Sequence, residues 1–494
     1  MGLLLGIDLG SQSLKAVLLD ERLALKGSGR RSYAIDFPRP GWAEQDPRAW
    51  ENALGPAIAD ALAAVGCSPG DVAALGIAGQ LDGCIPVDAK GHFSHPALIW
   101  MDRRADASLN RVRHRLGTRR VRTLTGANLD GTHMAPKMRW LIDETEAGRR
   151  AALFHQPVTY MVERLTGVRA IDHGLASTSL VYGLIEGGWV PELMAAFDLQ
   201  PKLLPPLRRS EDRAGRLHAE GARLTGLPAG IPVAVGTGDD FSTPLGGGVM
   251  QPGIVADVLG TAEVVGALDR EPRIDPSALT ETHRYVGDRF HYIENPGWVS
   301  GGALEWLRAT LGIADFASFD RLAAAVPAGA EGLLFLPALN GAMTPEWIAG
   351  ARGCFYGLTP AHGPGHLARA VLEGNAFGLK DVVMALRAMG VAADRLRLLG
   401  GGARSDLWAQ IRADATGLPA ERARLADASA VGAAILGGVA AGILPDLAGA
   451  AALMNADGPV IEPDPARHRL YGELHGRYRQ LFQSLKPMYG DGTP

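Results

Sequence analysis

One local pattern occurs twice and limits what this chain can fold into. Residues 3–19 (LLLGIDLGSQSLKAVLL) run from an apolar stretch through glycine and small polar residues into a second apolar stretch. Residues 253–268 (GIVADVLGTAEVVGAL) do the same, and Gly260-Thr261 stand where Gly10-Ser11 stand. Apolar runs separated by glycine and a hydroxyl residue read as β-hairpins. After each hairpin come strand signals and then helix signals. That order predicts two α/β domains with a cleft between them.

The other elements follow from local chemistry. A third strand is expected within 24–34. Asp46 suits the cap of a helix over 46–66, with Pro47 in its first turn and Gly66 at its end. VAALGIAGQ (72–80), CIPVD (84–88) and GIPVAVGTGDD (230–240) read as strands, and most of 104–225 as helix broken by Gly and Pro. In the second half RYVGDRFHYIE (284–294) and GLLFLPAL (332–339) read as strands, and 365–389 as a long helix. DRLRLLGGGARSDLWAQIRADATG (394–417) reads strand, glycine triplet, helix, with Ser405 as cap. ASAVGAAILGGVAAG (428–442) is a small-residue helix, and about 460–486 a charged amphipathic one. Pro244, Gly246 to Gly248, Pro252 and Gly253 accumulate where the halves meet, which predicts domains at 1–246 and 247–494.

Bulk properties exclude several classes. Lys plus Arg number 49 and Asp plus Glu 53, so a net charge of -4 gives no basis for a nucleic-acid partner. The basic run 113–122 reads as a solvated helix face. No stretch reaches the roughly 18 uninterrupted apolar residues of a membrane span, and the start of the chain reads as a buried strand rather than a signal peptide. Cys67, Cys84 and Cys354 have neither disulfide nor zinc spacing. A cytoplasmic location is expected.

Four stretches carry candidate chemistry. Asp8 leads into Gly10, Ser11, Gln12 and Ser13, where bare backbone N–H groups and hydroxyls could hold an anion arriving with Mg²⁺. A plain β-turn is the alternative. Gly260-Thr261 offers the same geometry from the other half. Gly400, Gly401 and Gly402, followed by Ala403, put open backbone at a helix N-terminus and suit a nucleotide. Close helix–strand packing is the alternative there. Asp239 and Asp240 lie among glycines, so that one carboxylate could take a hydroxyl proton while the other binds a neighbouring hydroxyl or a metal. The alternative is a helix N-terminus whose acids offset the dipole.

The ordered set GIDLGSQSLKAV (6–17), Trp42 with Glu44 to Pro47, GIAGQ (76–80), IWMDRRA (99–105), APKMRWL (135–141), YMVERLTG (160–167), VGTGDD (235–240), LGTAE (259–263), ARAVLEG (368–374) and GGGARS (400–405) resembles the FGGY carbohydrate kinases, among them most the xylulokinases. The resemblance implies two actin-like (ribonuclease-H-like) domains closing on ATP and a sugar. It implies that Asp239 is the catalytic base and that Asp8 places Mg²⁺. Gly10 to Ser13 and Gly260-Thr261 would contact phosphates, Gly400 to Ala403 the adenosine, and Gln80, Leu81, Asp82 and Asp240 the sugar. A homodimer is one assembly it allows.

Three departures concern the substrate. Leu81-Asp82 replace the usual Met-His, Asp240 replaces Asn, and Ala342-Met343 replace an acidic-basic pair. Carboxylates only accept hydrogen bonds, so the pocket should favour a ligand rich in hydroxyl donors, or a cation, and disfavour a sugar acid or sugar phosphate. D-xylulose is the first expectation, with phosphorylation at its terminal hydroxyl. Another ketose or a polyol is the alternative, and an actin-like or heat-shock-chaperone-like ATPase a remote one.

Overall fold

The computed structural model describes residues 2–455 and 458–490. β1 (Leu3–Leu9), β2 (Ser13–Leu19) and β3 (Leu25–Ser32) form an antiparallel meander. α1 (Pro47–Ala63) starts at Asp46, whose carboxylate accepts from the Arg48 amide, as its cap chemistry predicts. β4 (Val72–Gly79) returns parallel to β1. A lobe of short helices and strands follows, including α2 (Met134–Glu144). β5 (Arg213–Arg216), β6 (Pro232–Ala234) and β7 (Thr237–Gly238) complete the first sheet, in the order β5-β6-β4-β1-β2-β3 with β7 also on β4. α3 (Asp239–Gly246) leaves β7 directly.

The second sheet repeats this topology. β8 (Gly253–Leu259) and β9 (Ala262–Asp269) form the second hairpin, joined by β10 (Glu281–Arg284) and β11 (His291–Val299). α4 (Pro364–Ala388), β12 (Ala393–Leu399), α5 (Asp406–Thr416) and β13 (Ala420–Arg422) follow. The order is β10-β11-β9-β8-β12-β13, with β12 parallel to β8 as β4 is to β1. Two sheets, each with an antiparallel meander and then parallel strands, make the duplicated α/β fold that the twin hairpins predict.

The stretch 284–294 differs from its expected single strand. Residues 285–290 turn between β10 and β11, with Gly287 and Asp288 in the left-handed region at φ 75° and 54°. That turn doubles the edge of the second sheet back on itself. The basic run 113–122 is largely exposed on two short helices, as expected.

α6 (Ala428–Ala440) belongs to the second half in sequence but packs against the first sheet and α3. Its small residues make this possible. A Cβ at Gly6 would collide with the Ala430 carbonyl, one at Gly76 with the Ala433 carbonyl, and one at Gly432 with the Ser242 carbonyl. Backbone therefore meets backbone on both faces of α6. A core that includes Leu4, Phe241, Ile254, Leu399 and Ile435 joins the halves around it. α7 (Pro465–Leu485) buries Tyr471, Tyr478 and Phe482 in the core of the second half. Among the described residues no helix is long and apolar enough to cross a membrane.

Candidate active site

Asp239 and Asp240 are the first two residues of α3. The bare backbone before them has a steric cause. Gly236 sits at φ 79°, and a Cβ there would strike the Ile77 carbonyl of β4. Gly238 passes between Leu81 and Leu175, which a Cβ would meet at 3.0 and 3.2 Å. The strand is thus held against β4, and both carboxylates are delivered, half-buried, into the cleft. A helix N-terminus favours their anionic forms, yet burial dominates at Asp239. It pushes the carboxyl well above its ordinary range, and the charges of Asp240 and Asp8 add to the effect. Burial also raises Asp240, against His283 and with Asp82, to about 6.

Asp8 ends β1 beside the first hairpin. Ser429 of α6 donates to it at 3.0 Å and lies 3.0 Å from Ser242 of α3, so three elements meet at this carboxylate. Lys15 is 3.9 Å away and also pairs with Asp427 at 3.2 Å. Burial raises the Asp8 carboxyl despite Lys15. The turn beyond it is tightly held. Gly10 N donates to Ser13 O at 3.1 Å and Tyr33 Oη to Gly10 O at 2.5 Å. Trp100 donates to Ser11 Oγ at 2.8 Å, Arg30 to Ser13 Oγ at 3.0 Å, and Gln12 is exposed.

The second half presents Gly260 and Thr261 at an exposed tip. Gly400 takes φ 80° and abuts the Leu259 carbonyl, which brings the glycine triplet against that hairpin. A Cβ at Gly402 would enter the Trp408 ring, whereas one at Gly401 would meet open space. Ala403 is buried, and Ser405 caps α5 by accepting from Trp408 N at 3.0 Å. Beneath the hairpin lies a buried ion cluster. Arg412 donates to Asp257 at 2.9 Å and to both oxygens of Glu263 at 2.7 and 2.6 Å, and stacks on Trp408.

Of the expected sugar contacts, Gln80 is buried behind the first hairpin, where it donates to Gln45 at 2.8 Å with its own Oε1 unpaired. Leu81 is half-buried. Asp82 takes φ 59°, and its carboxylate lies 3.3 Å from His133. Lys137 of α2, fully buried, donates to the carbonyls of Asp82 and Ile99 at 2.8 Å each and to that of Thr132.

Sequence reasoning missed the residues opposite Asp82. His133 is 3.9 Å from Glu281, Glu281 3.5 Å from His283, and His283 3.8 Å from Glu294. Acid and imidazole alternate from Asp82 in the first half to Glu294 in the second. Burial lowers the His133 imidazole, but Asp82, Glu281 and Asp130 outweigh it and hold it at about 9. The one signal available was the spacing of Glu281 and His283, two apart and so on one face of a strand. The halves close over this ladder: Asn128 N donates to Glu281 at 2.8 Å, Thr282 N to Gly126 O at 3.0 Å and Arg284 N to Ser177 Oγ at 3.0 Å.

The chain that carries these two hairpins, the glycine triplet and the half-buried pair of acids matches known proteins along most of its length. The FGGY family of carbohydrate kinases matches with its N-terminal domain over residues 3–246 and its C-terminal domain over residues 255–441. The chain belongs to the FGGY family of carbohydrate kinases. A glycerol kinase of Aromatoleum aromaticum is 32% identical over 456 residues, 90% of this chain and 91% of that one. The xylulose kinase of Escherichia coli K12 is 30% identical over 498 residues, 98% and 99% of the two chains. The crystal structure of xylulose kinase from Rhodospirillum rubrum superposes with a TM-score of 0.88 at 29% identity, covering 98% and 99%. Membership of both halves in a carbohydrate-kinase family removes the reason for the ATPase alternative.

A nucleotide–Mg²⁺ complex fits the FGGY cleft chemically. Asp8 is a buried carboxylate whose nearest cation, Lys15, stays 3.9 Å away. Among the described residues no group of three or more His, Cys, Asp or Glu is arranged to hold a metal ion. The fit is therefore to a hydrated ion carried mainly by phosphates, the usual habit of Mg²⁺.

Proposed function

We propose that this FGGY kinase transfers the γ-phosphoryl group of ATP to a terminal hydroxyl of an uncharged ketose or polyol, with Asp239 as general base. The observation that carries the reading is Asp239 itself, half-buried at the start of α3 with its carboxyl raised by burial, Asp240 and Asp8. A carboxylate so raised is a better proton acceptor at neutral pH. The hydroxyl oxygen bonds to the γ-phosphorus as its proton passes to Asp239, and the bridging oxygen leaves with ADP.

Phosphoryl transfer asks the protein for alignment and charge compensation rather than covalent chemistry. Gly10 to Ser13 and Gly260-Thr261 would hold the phosphates from the two sides, and Gly400 to Ala403 the adenosine. Mg²⁺, placed by Asp8, would neutralise charge on the transferring group. The reading gives base and sugar to residues 1–246 and nucleotide to 247–494. The three unpaired cysteines support a reducing, cytoplasmic setting.

D-xylulose, giving its 5-phosphate, is the first candidate, because the xylulose kinase relative spans nearly the whole chain. A polyol is the second, favoured by the glycerol kinase relative and by Asp82 and Asp240, which accept but do not donate when ionised. Coupled ADP release with Mg²⁺·ATP against ketoses, polyols and aldoses tests both. Turnover of one sugar by wild type and its loss in Asp239→Ala supports the reading. ADP release that no sugar stimulates and the substitution does not change would sink it.

A further inference from the structure

We propose that β10 and β11 of the second half form the far wall of the substrate pocket, with Glu281, His283 and Glu294 as specificity-determining residues that select an uncharged, hydroxyl-rich substrate. The inference rests on the kinase reading of the same site.

Glu281 and Glu294 are direct partners in the β10–β11 register, and His283 follows Glu281 on the same face. The ladder they continue reaches Asp82, beside Leu81 and close to α3. All its members are at most 7% exposed. Yet Asp82 Oδ1, Glu294 Oε2 and His283 Nδ1 lack hydrogen-bond partners. Buried polar atoms are nearly always satisfied, because an orphan gives up its water without a replacement partner. Three orphans in one ladder mark a place where a ligand supplies the missing donors and acceptors.

The ligand's chemistry follows from the wall. Unpaired imidazole and carboxyl atoms need groups that both donate and accept, which hydroxyls do. Burial, with Asp240 and Glu281, pushes the Glu294 carboxyl well up, so it offers a donor as well as an acceptor. No Lys or Arg ion-pairs with the carboxylates of Asp82, Glu281 or Glu294 among the described residues, and the buried Lys137 is occupied by main-chain carbonyls. A carboxylate or phosphate entering here would meet Asp82 and Glu281, which already engage the one nearby cation, His133, and would find no free Lys or Arg to neutralise it. Because the wall belongs to the second half and docks through Asn128, Gly126 and Ser177, substrate recognition and domain closure are one contact.

The test is calorimetric titration of the full chain with D-xylulose, xylitol, glycerol and D-xylonate, with coupled turnover in parallel. Wild type binds at least one neutral probe at least tenfold tighter than xylonate. Glu294→Leu and His283→Leu weaken that probe at least tenfold and raise its KM, while the KM of ATP moves less than threefold. Glu294→Gln, which keeps a donor and an acceptor, restores the affinity, and unfolding temperatures separate binding loss from misfolding. Preference for xylonate, no binding of any neutral probe, or unchanged affinity in both leucine variants overturns the proposal. Binding of a neutral probe with the expected losses but no phosphorylation would leave the wall standing and remove only the kinase reading.

Discussion

The roles proposed for Asp239 and Asp240 differ although the residues are adjacent, and pH separates them. If Asp239 is the base it must be deprotonated, so kcat/KM should rise with pH across an acid limb set by Asp239. Burial and the neighbouring charges of Asp240 and Asp8 place that limb above the ordinary carboxylate range. Asp240→Asn removes one like charge, which stabilises ionised Asp239, and the limb shifts to lower pH while activity persists. Asp239→Asn instead lowers kcat by about 10²–10⁴ across the whole range, the usual worth of a general base. A kcat/KM profile of the three proteins checks both, and an unshifted limb in Asp240→Asn would deny the coupling. Both acids, the two hairpins and the glycine triplet were legible in the sequence because each is a local pattern, an apolar run broken by glycine and followed at once by small polar or acidic residues. Glu281, His283 and Glu294 were not. In a strand they look like ordinary surface charge, and only the closed arrangement of the halves buries them against Asp82. Lys137 lay inside a recognised motif, but nothing local says that it gathers three carbonyls from separate segments.

At the scale of elements, α6 and the buried arginine carry the site. α6 was readable as a small-residue helix. Its place against β1, β4 and α3 was not, since that depends on contacts hundreds of residues apart in the chain. The glycines at those contacts have no room for a methyl group: a Cβ on Gly76 would meet the Ala433 carbonyl and the Gly437 amide. Gly76→Ala should cost about 1–3 kcal/mol through overpacking and displace Ser429 from Asp8, lowering kcat as well as the unfolding temperature. The same substitution at the exposed, unhindered Gly401 should leave the unfolding temperature unchanged. Arg412 makes a different case. Removing it leaves Asp257 and Glu263 buried without their cation, a loss of about 3–5 kcal/mol for such clusters. Arg412→Leu should therefore lower stability and, because the hairpin above loses its support, raise the KM of ATP more than that of the sugar.

For the whole molecule, the buried acids set how stability depends on pH. Asp172, held by Thr237 and the amides of Gly174 and Leu175, is raised by burial to about 7. Burial raises Asp257 to about 8 despite Arg412, and Asp240 to about 6. The unfolded chain releases these protons near the ordinary value of 3.8, so between pH 4 and 8 the folded state holds protons that the unfolded state does not. Stability from these groups is complete below the unfolded value and is lost as pH rises through the folded ones. His133, raised to about 9 from 6.5, acts in the same direction, its contribution fading as pH rises through 9. Lys137, lowered to about 8 from 10.5, acts in the opposite direction but only above pH 8. His291, lowered to about 4 by burial and Arg284, and His155, lowered by burial, oppose the acids up to about pH 6.5, so the net slope is downward from there to pH 8. At about 1.4 kcal/mol per proton per pH unit, even one uncompensated proton lowers the unfolding temperature by several degrees over this window. Mg²⁺·ATP with a neutral substrate should flatten the slope, since a cation beside Asp8 and new partners for Asp240 and Glu294 remove part of the cost of ionising them. Thermal melts from about pH 6.5 to 8, with and without these ligands, test the claim. A melting temperature that rises with pH in the ligand-free protein would mean that the cleft acids are solvated and ionised in solution, and that the halves stand open there.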